Sequence, residues 1–81
     1  MPTQLNSDLS HRRQVKLSMR ELEVLRLIAR GHQSQTAADM LYISKRTVDF
    51  HLANAFEKLG VKNRMRAVVL ASQLGMLHYE P

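Results

Sequence analysis

The 81-residue sequence predicts an all-α fold of four helices in a single domain. Apolar residues recur at intervals of three and four in four separate segments, which is the spacing of one helix face. Serine, asparagine and glycine stand at the ends of these segments, where they cap and terminate helices. No segment alternates apolar and polar residues, as a half-buried strand would.

The first predicted helix follows Ser18 and ends at Gly31. Ser18 and Glu21 have the spacing of a capping box, in which each side chain bonds the backbone of the other residue. We expect Glu21 to close this box or to pair with a basic residue such as Arg64. The predicted buried face consists of Leu22, Val24, Leu25, Ile28 and Ala29.

The second predicted helix is short, and the third is longer. The second runs from about Ser34 or Gln35 to Leu41, with Ser34 as its cap. Its small-residue face, which would let another helix approach closely, consists of Ala37, Ala38 and Leu41. Ser44 caps the third helix, at about 45–59, which ends before a glycine. The apolar stripe of this helix consists of Val48, Leu52, Ala55 and Leu59.

The fourth predicted helix runs from Arg64 to about Leu74. Asn63 is placed to cap it, and Gly75 to end it. The residues that can face the core are Ala67, Ala71 and Leu74. Four helices with short connections therefore account for the chain from the first cap onward.

Composition and charge restrict the function. The chain carries 12 Lys and Arg against 7 Asp and Glu, a net charge of +5. This balance favours a polyanionic partner, although charge alone is equally compatible with solubility. The absence of cysteine excludes disulfides and thiolate metal sites. Residues 1–16 are polar and aperiodic, so we expect a flexible tail or linker remnant there and a folded domain at 17–81.

Signatures of membrane, secreted, metal-binding and catalytic proteins are missing. The longest apolar run, Ala67–Ala71, is far shorter than a membrane span, and we expect a cytoplasmic protein without a membrane partner. The histidines lie on different elements, so we expect no metal, cofactor or small-molecule ligand; they are His11, His32, His51 and His78. Without a glycine-rich loop or a nucleophile–base pattern, we expect no enzyme.

The second and third helices form a predicted helix-turn-helix, because a tight turn joins a short helix to a longer one. In this motif the second of the two helices enters the major groove of DNA. The recognition helix is therefore the third, at about 45–59. Its N-terminus offers free backbone N–H groups and a positive dipole end, which favour a phosphate.

Candidate DNA contacts lie on the faces of the third helix that its apolar stripe leaves free. The residues expected to meet base edges are Arg46, Asp49, Phe50 and Ala53, with arginine the usual partner of guanine. The residues expected to meet phosphates are Ser44, Lys45, Thr47, Asn54, Lys58 and Arg64. The alternative is that the charged members are solvated surface residues and that Thr47 only helps to cap the helix.

A long motif, with no insertion or gap in its spacing, extends from Leu17 to Leu77, about three quarters of the chain. Its residues are LSMRELEVL at 17–25, Ala29, Gly31, Ile43-Ser44, Thr47-Val48, His51, Asn54, KLGV at 58–61, Asn63-Arg64, Ala67-Val68 and Ala71. On these residues the sequence resembles the LuxR/FixJ/GerE-type helix-turn-helix domain. The resemblance implies a bacterial transcriptional regulator of four helices that binds a two-fold-symmetric DNA site as a dimer.

The partners that the resemblance implies are double-stranded DNA and a second copy of this chain, with RNA polymerase as a further candidate. In the family the fourth helix commonly forms the dimer contact. The sequence agrees, because a small core leaves apolar residues only partly used there. The expected dimer contacts are Val69, Leu70 and Met76; the alternative is that the core uses them all.

Two departures from the family pattern keep a rival function open. Residues 34–38 read Ser-Gln-Thr-Ala-Ala where relatives often have Asn-Lys-Glu-Ile-Ala, and Asp49 stands where lysine is common. A carboxylate accepts from cytosine but repels phosphate. The rival is an interaction module that docks on a related regulator and blocks its DNA binding.

Overall fold

The computed structural model describes residues 15–77, and these residues form four helices and no strand. The helices are α1 (Met19–Ala29), α2 (Ser34–Leu41), α3 (Lys45–Leu59) and α4 (Arg64–Gln73). The predicted all-α fold is confirmed. Residues 1–14, which make up most of the predicted tail, lie outside the described residues, as do residues 78–81. Val15 packs against the core.

Helix α3 is central to the domain and packs against each of the other three helices. Its buried residues are the predicted ones, Val48, Leu52, Ala55 and Leu59. The core also contains alanines without exposed surface, namely Ala37 and Ala38 on α2 and Ala67 and Ala71 on α4. Because an alanine projects only a methyl group, the helix backbones can approach closely at these positions.

The buried face of α1 differs from the prediction. Glu21 is only 4% exposed, whereas Leu22 is half-buried. The other buried residues of α1 are Val24, Leu25, Leu27 and Ile28. Glu21, Val24 and Ile28 lie at i, i+3 and i+7, so the carboxylate shares the core-facing side of the helix. The helix therefore buries the charged Glu21, whereas the apolar pattern predicted that Leu22 would be buried.

The burial of Glu21 is compensated by hydrogen bonds. Lys58 on α3 donates from Nζ to both carboxylate oxygens, at 2.9 and 3.1 Å. The predicted capping box is confirmed: the backbone N–H of Ser18 donates to Glu21 Oε1 at 2.9 Å, and Glu21 N–H donates to Ser18 Oγ at 3.1 Å. The partner of Glu21 is thus Lys58 and not Arg64, whose guanidinium reaches α2 instead.

The charge state of Glu21 follows from these contacts. Burial raises the pKa of the Glu21 carboxyl, but the Lys58 and Ser18 hydrogen bonds and the Lys58 charge outweigh it. The pKa therefore lies below its ordinary value, and the ionised form is favoured. The resulting ion pair joins α1 to the C-terminal half of α3.

The start of α2 also differs from the prediction. Its N-cap is Gln33, in an extended conformation and without a side-chain cap hydrogen bond, and Ser34 is the first helical residue. Ser34 is buried, and its Oγ accepts a hydrogen bond from the guanidinium of Arg64. The hydroxyl therefore joins α2 to the first turn of α4 instead of capping its own helix.

Each helix ends in a turn with a residue at positive φ. After α1, α3 and α4 this residue is a glycine, with φ of 96°, 71° and 76° at Gly31, Gly60 and Gly75. After α2 it is Tyr42, with φ 58° and ψ 41°. Left-handed backbone costs a non-glycine L-residue about 1–2 kcal/mol. The turn in front of α3 is therefore the one of the four that carries this strain.

Replacing a core residue of α3 tests its orientation. We expect Val48→Asp to abolish cooperative folding, because Val48 has no exposed surface and a carboxylate there would be buried without a partner. Phe50→Asp is the matched control, since it adds the same charge to α3 at a side chain that is 60% exposed. Thermal melts followed by circular dichroism measure both. A Val48→Asp melt like that of the unchanged protein would contradict the orientation.

The Glu21–Lys58 pair predicts a loss of stability in acid. Because the folded pKa of Glu21 is lowered, the pair stabilises the fold above the pKa of an unfolded glutamate, and this contribution is lost as the pH falls through the folded pKa. Glu21→Gln keeps the capping box but removes the charge. We expect it to lower the free energy of unfolding by about 1–2 kcal/mol at neutral pH, since Lys58 is partly exposed.

Urea titrations of Glu21→Gln and the unchanged protein from neutral pH to about pH 2 measure this difference. The two stabilities should converge in acid, because the carboxyl is then protonated and its pairing with Lys58 is lost. Other carboxylates, such as Asp49, titrate in both proteins, so their contributions to the difference in stability cancel. The same difference in stability at both ends of the pH range would show that the ion pair contributes nothing.

Candidate nucleic-acid interface

The turn between α2 and α3 is three residues long, from 42 to 44, and ends at the cap of α3. Ser44 Oγ accepts a hydrogen bond from the backbone N–H of Thr47 at 3.0 Å and bonds Thr47 Oγ1 at 2.9 Å. The predicted cap of α3 is thereby confirmed. The first turn of α3 contains no acidic residue. Its positive dipole end is therefore available to an anion.

The four residues predicted to meet bases share one outward side of α3. Arg46, Phe50 and Ala53 are exposed, and Asp49 is half-buried. Their numbers follow i, i+3, i+4 and i+7, so they lie next to one another over two helical turns. The apolar stripe of α3 lies on the opposite side, in the core. We call this outward set, Arg46, Asp49, Phe50 and Ala53, the reading face.

Lys45 and Asp49 form an ion pair at one edge of the reading face. Lys45 Nζ donates to Asp49 Oδ2 at 2.8 Å, across one helical turn. This hydrogen bond lowers the pKa of Asp49, with the Ser34 hydroxyl and the charges of Lys45 and Arg64 acting in the same direction against burial. The carboxylate is therefore held ionised. The pairing was not predicted, although the i, i+4 spacing of the two residues favours it.

Two of the predicted phosphate contacts make hydrogen bonds to a different helix. Lys58 donates to Glu21, and Arg64 donates to Ser34. Both side chains thus have a structural role in the free protein, and their contact with phosphate stays a prediction. Ser44, Lys45 and Thr47 are brought together at the start of α3. The remaining predicted contact, with a half-buried side chain in the second half of α3, is Asn54.

The residues predicted to form a dimer lie at and after α4. Val69 is 50% exposed, whereas Leu70 and Met76 are partly buried and pack against the core. Met65, which is not among the predicted contacts, is 76% exposed and lies one turn before Val69. Its i, i+4 spacing from that valine was a signal. A shallow groove on this side is lined by Val61, Met65, Arg66, Val69, Leu70 and Gln73.

Membrane-spanning helices and metal-binding clusters are both absent from residues 15–77. No helix in this range has the length and apolar character needed to cross a membrane. The same residues contain no group of three or more His, Cys, Asp or Glu side chains that could hold a metal ion. These residues contain a helix-turn-helix with a basic and polar start to its second helix.

Comparisons with known proteins agree with this arrangement. Residues 15–71 match the family model described as bacterial regulatory proteins, luxR family. The spore germination protein GerE of Bacillus subtilis is 43% identical over 61 residues, which cover 75% of this chain and 82% of that protein. A solved structure of the transcription factor GerE superposes with a TM-score of 0.73 and 35% identity, covering 76% of this chain and 92% of that one.

Longer proteins also match. The transcriptional activator protein AnoR of Acinetobacter nosocomialis is 43% identical over 61 residues, which cover 75% of this chain but only 26% of AnoR. The transcriptional regulatory protein ComA of Bacillus subtilis is 37% identical over 68 residues, 84% of this chain and 32% of ComA. This chain thus corresponds to about a quarter to a third of these two relatives.

The chain belongs to the luxR family of bacterial regulatory proteins, as a helix-turn-helix DNA-binding domain of transcriptional regulators. The predicted family and the predicted helix-turn-helix fold are confirmed.

Proposed function

We propose that the domain binds double-stranded DNA sequence-specifically, with α3 in the major groove, and so regulates transcription in the bacterial cytoplasm. The observation that carries the proposal is the two-sided character of α3. One side is buried in the core, and the reading face, most of which is exposed, lies on the other side. A helix in this arrangement can enter a groove about 12 Å wide without disturbing the fold.

The reading face offers several distinct chemistries to base edges. Arg46 is exposed and can donate two hydrogen bonds to guanine O6 and N7. Asp49, held ionised beside Lys45, can accept from cytosine N4. Phe50 and Ala53 offer apolar surface to a thymine methyl group. Such a set discriminates among base pairs, which a purely basic surface would not do.

Phosphate contacts would fix the helix in the groove. The start of α3 brings together the Ser44 and Thr47 hydroxyls, the Lys45 ammonium and free backbone N–H groups. For Lys45 to reach a phosphate, its ammonium must leave Asp49, 2.8 Å away. The other proposed phosphate contacts are Asn54, Lys58 and Arg64.

The apolar groove beside α4 supports a two-fold dimer. Met65 and Val69 expose apolar surface there, and Leu70 lines the same groove. Burying this surface against a second copy would remove it from water, and two recognition helices would then read two half-sites. We include Met76 in the contact because it follows α4 and is only partly buried. RNA polymerase stays a further predicted partner.

Selection from a randomised duplex library, followed by fluorescence anisotropy at several salt concentrations, tests the proposed function. We expect enrichment of a palindromic site that binds more tightly than a scrambled duplex at every salt concentration. If no site is enriched and the binding disappears near physiological salt, sequence-specific recognition is wrong. The protein would then be assigned to the docking class, which blocks a related regulator.

Removing the arginine of the reading face should relax specificity. We expect Arg46→Ala to weaken binding to the selected duplex by about 1–3 kcal/mol, with the loss confined to one base pair of the half-site. Arg26→Ala is the matched control, because it removes an equally charged, exposed side chain from α1. Anisotropy with a series of single-base-pair variants measures both. An equal loss of affinity for every duplex, including the scrambled one, would show that Arg46 contacts only phosphate.

A charge in the groove beside α4 should prevent the dimer. Val69→Asp places a carboxylate at a half-exposed position, so we expect a folded monomer that binds a half-site normally and the palindrome at least tenfold more weakly. Met19→Asp is the control, since Met19 is 70% exposed on α1. Analytical ultracentrifugation with and without DNA measures the assembly. If the Val69→Asp protein still forms a dimer, the dimer contact lies elsewhere on the domain.

A further inference from the structure

Tyr42 combines two unfavourable features in the turn before α3. Its backbone is left-handed, with φ 58° and ψ 41°, which strains a side chain that has a Cβ atom. Its side chain is 95% exposed, so the ring gains almost nothing from burial. A strained residue without packing points to a role outside the stability of the fold.

The other helix ends show that the fold does not need a tyrosine here. In the turn after α2, Ile43 N–H donates to Ala38 C=O at 3.0 Å. The turn after α3 makes the same bond, from Val61 N–H to Phe56 C=O at 3.0 Å, with Gly60 at positive φ. Glycine thus supports the same turn without strain, whereas the turn in front of the reading face has a tyrosine at the positive-φ position.

The position of Tyr42 is next to the proposed DNA contacts. It lies two residues before Ser44 and three before Lys45, on the connection that leads into α3. When a recognition helix enters the major groove by its N-terminus, the residues just before that terminus face the sugar–phosphate strand at the groove edge. A phenol is a good donor to a phosphate oxygen, and its ring can cover a deoxyribose.

We propose that Tyr42 is a DNA-positioning residue whose phenol O–H donates to a non-bridging phosphate oxygen beside the major groove. The inference rests on the proposed function and adds to it a contact that fixes the approach of α3. Because phosphate geometry is the same at every base pair, Tyr42 contributes affinity and orientation but no base preference. Because the phenol is neutral, it binds phosphate without releasing an additional counterion.

Two substitutions separate the proposed role from a structural one. Tyr42→Phe keeps the ring and the backbone and removes only the hydroxyl. Tyr42→Gly removes the whole side chain and the backbone strain, so its melting temperature should stay level or rise by up to about 4 °C. Lys45→Gln is the comparison variant, since it removes a cationic phosphate contact three residues away.

Anisotropy on the selected and scrambled duplexes, at several salt concentrations, gives the result. We expect Tyr42→Phe to weaken binding about five- to tenfold per protomer on both duplexes, with an unchanged slope of log affinity against log salt. Tyr42→Gly should weaken binding at least as much while the fold remains stable. Lys45→Gln should instead reduce the magnitude of the salt slope by about one per protomer.

The possible failures are distinguishable. If the unchanged protein selects no duplex, the proposed function itself is wrong. If it selects one and Tyr42→Phe binds equally well, the phenol–phosphate hydrogen bond is wrong while the proposed function stands. A loss confined to the selected duplex would make Tyr42 a base reader, and a loss of dimer without a loss of half-site affinity would make it a protein contact. Both outcomes would overturn the inference.

Discussion

The packing of one side of α3 against the other three helices is the constraint on which the domain depends. Four apolar residues fill that side, and the same helix must leave its opposite side free. A shift of one residue in this stripe would turn the helix by roughly 100° and carry the reading face into the core. The Glu21–Lys58 pair adds a polar connection from α1 to the far half of α3. One side of α3 therefore stabilises the fold, and the other side is the one proposed to contact DNA.

The parts of the fold that follow from short-range patterns were predictable from the sequence. The α3 stripe and the Ser18, Ser44 and Asn63 caps depend on neighbours within one or two turns, and all of them were predicted. The burial of Glu21 was not, because its partner is 37 residues away in the sequence. Ser34 was misassigned as a cap for the same reason, since it is bound by an arginine 30 residues later.

The candidate site shows the same division. Which residues face outward on α3 follows from helical periodicity, so the reading face was predictable. The partners of the charged side chains were only partly predictable. Lys45 and Asp49 pair within one helix, whereas the side chain of Arg64 crosses to another helix. The conformation of Tyr42 was beyond sequence reasoning, because a tyrosine gives no indication of left-handed backbone. The sequence therefore predicted where the helices lie better than it predicted which charges pair or which backbone angles occur.

The buried alanines of α2 and α4 have a consequence for how such domains diversify. With no exposed surface and a methyl group alone as side chain, these positions cannot accept larger residues without separating the helices. Most positions of the reading face meet no such restriction, because their side chains project into solvent. Under the proposed function, mutation of the reading face can therefore alter the preferred DNA sequence while the scaffold stays fixed. Duplicated genes could in this way acquire separate operators through a few surface substitutions, each nearly neutral for folding.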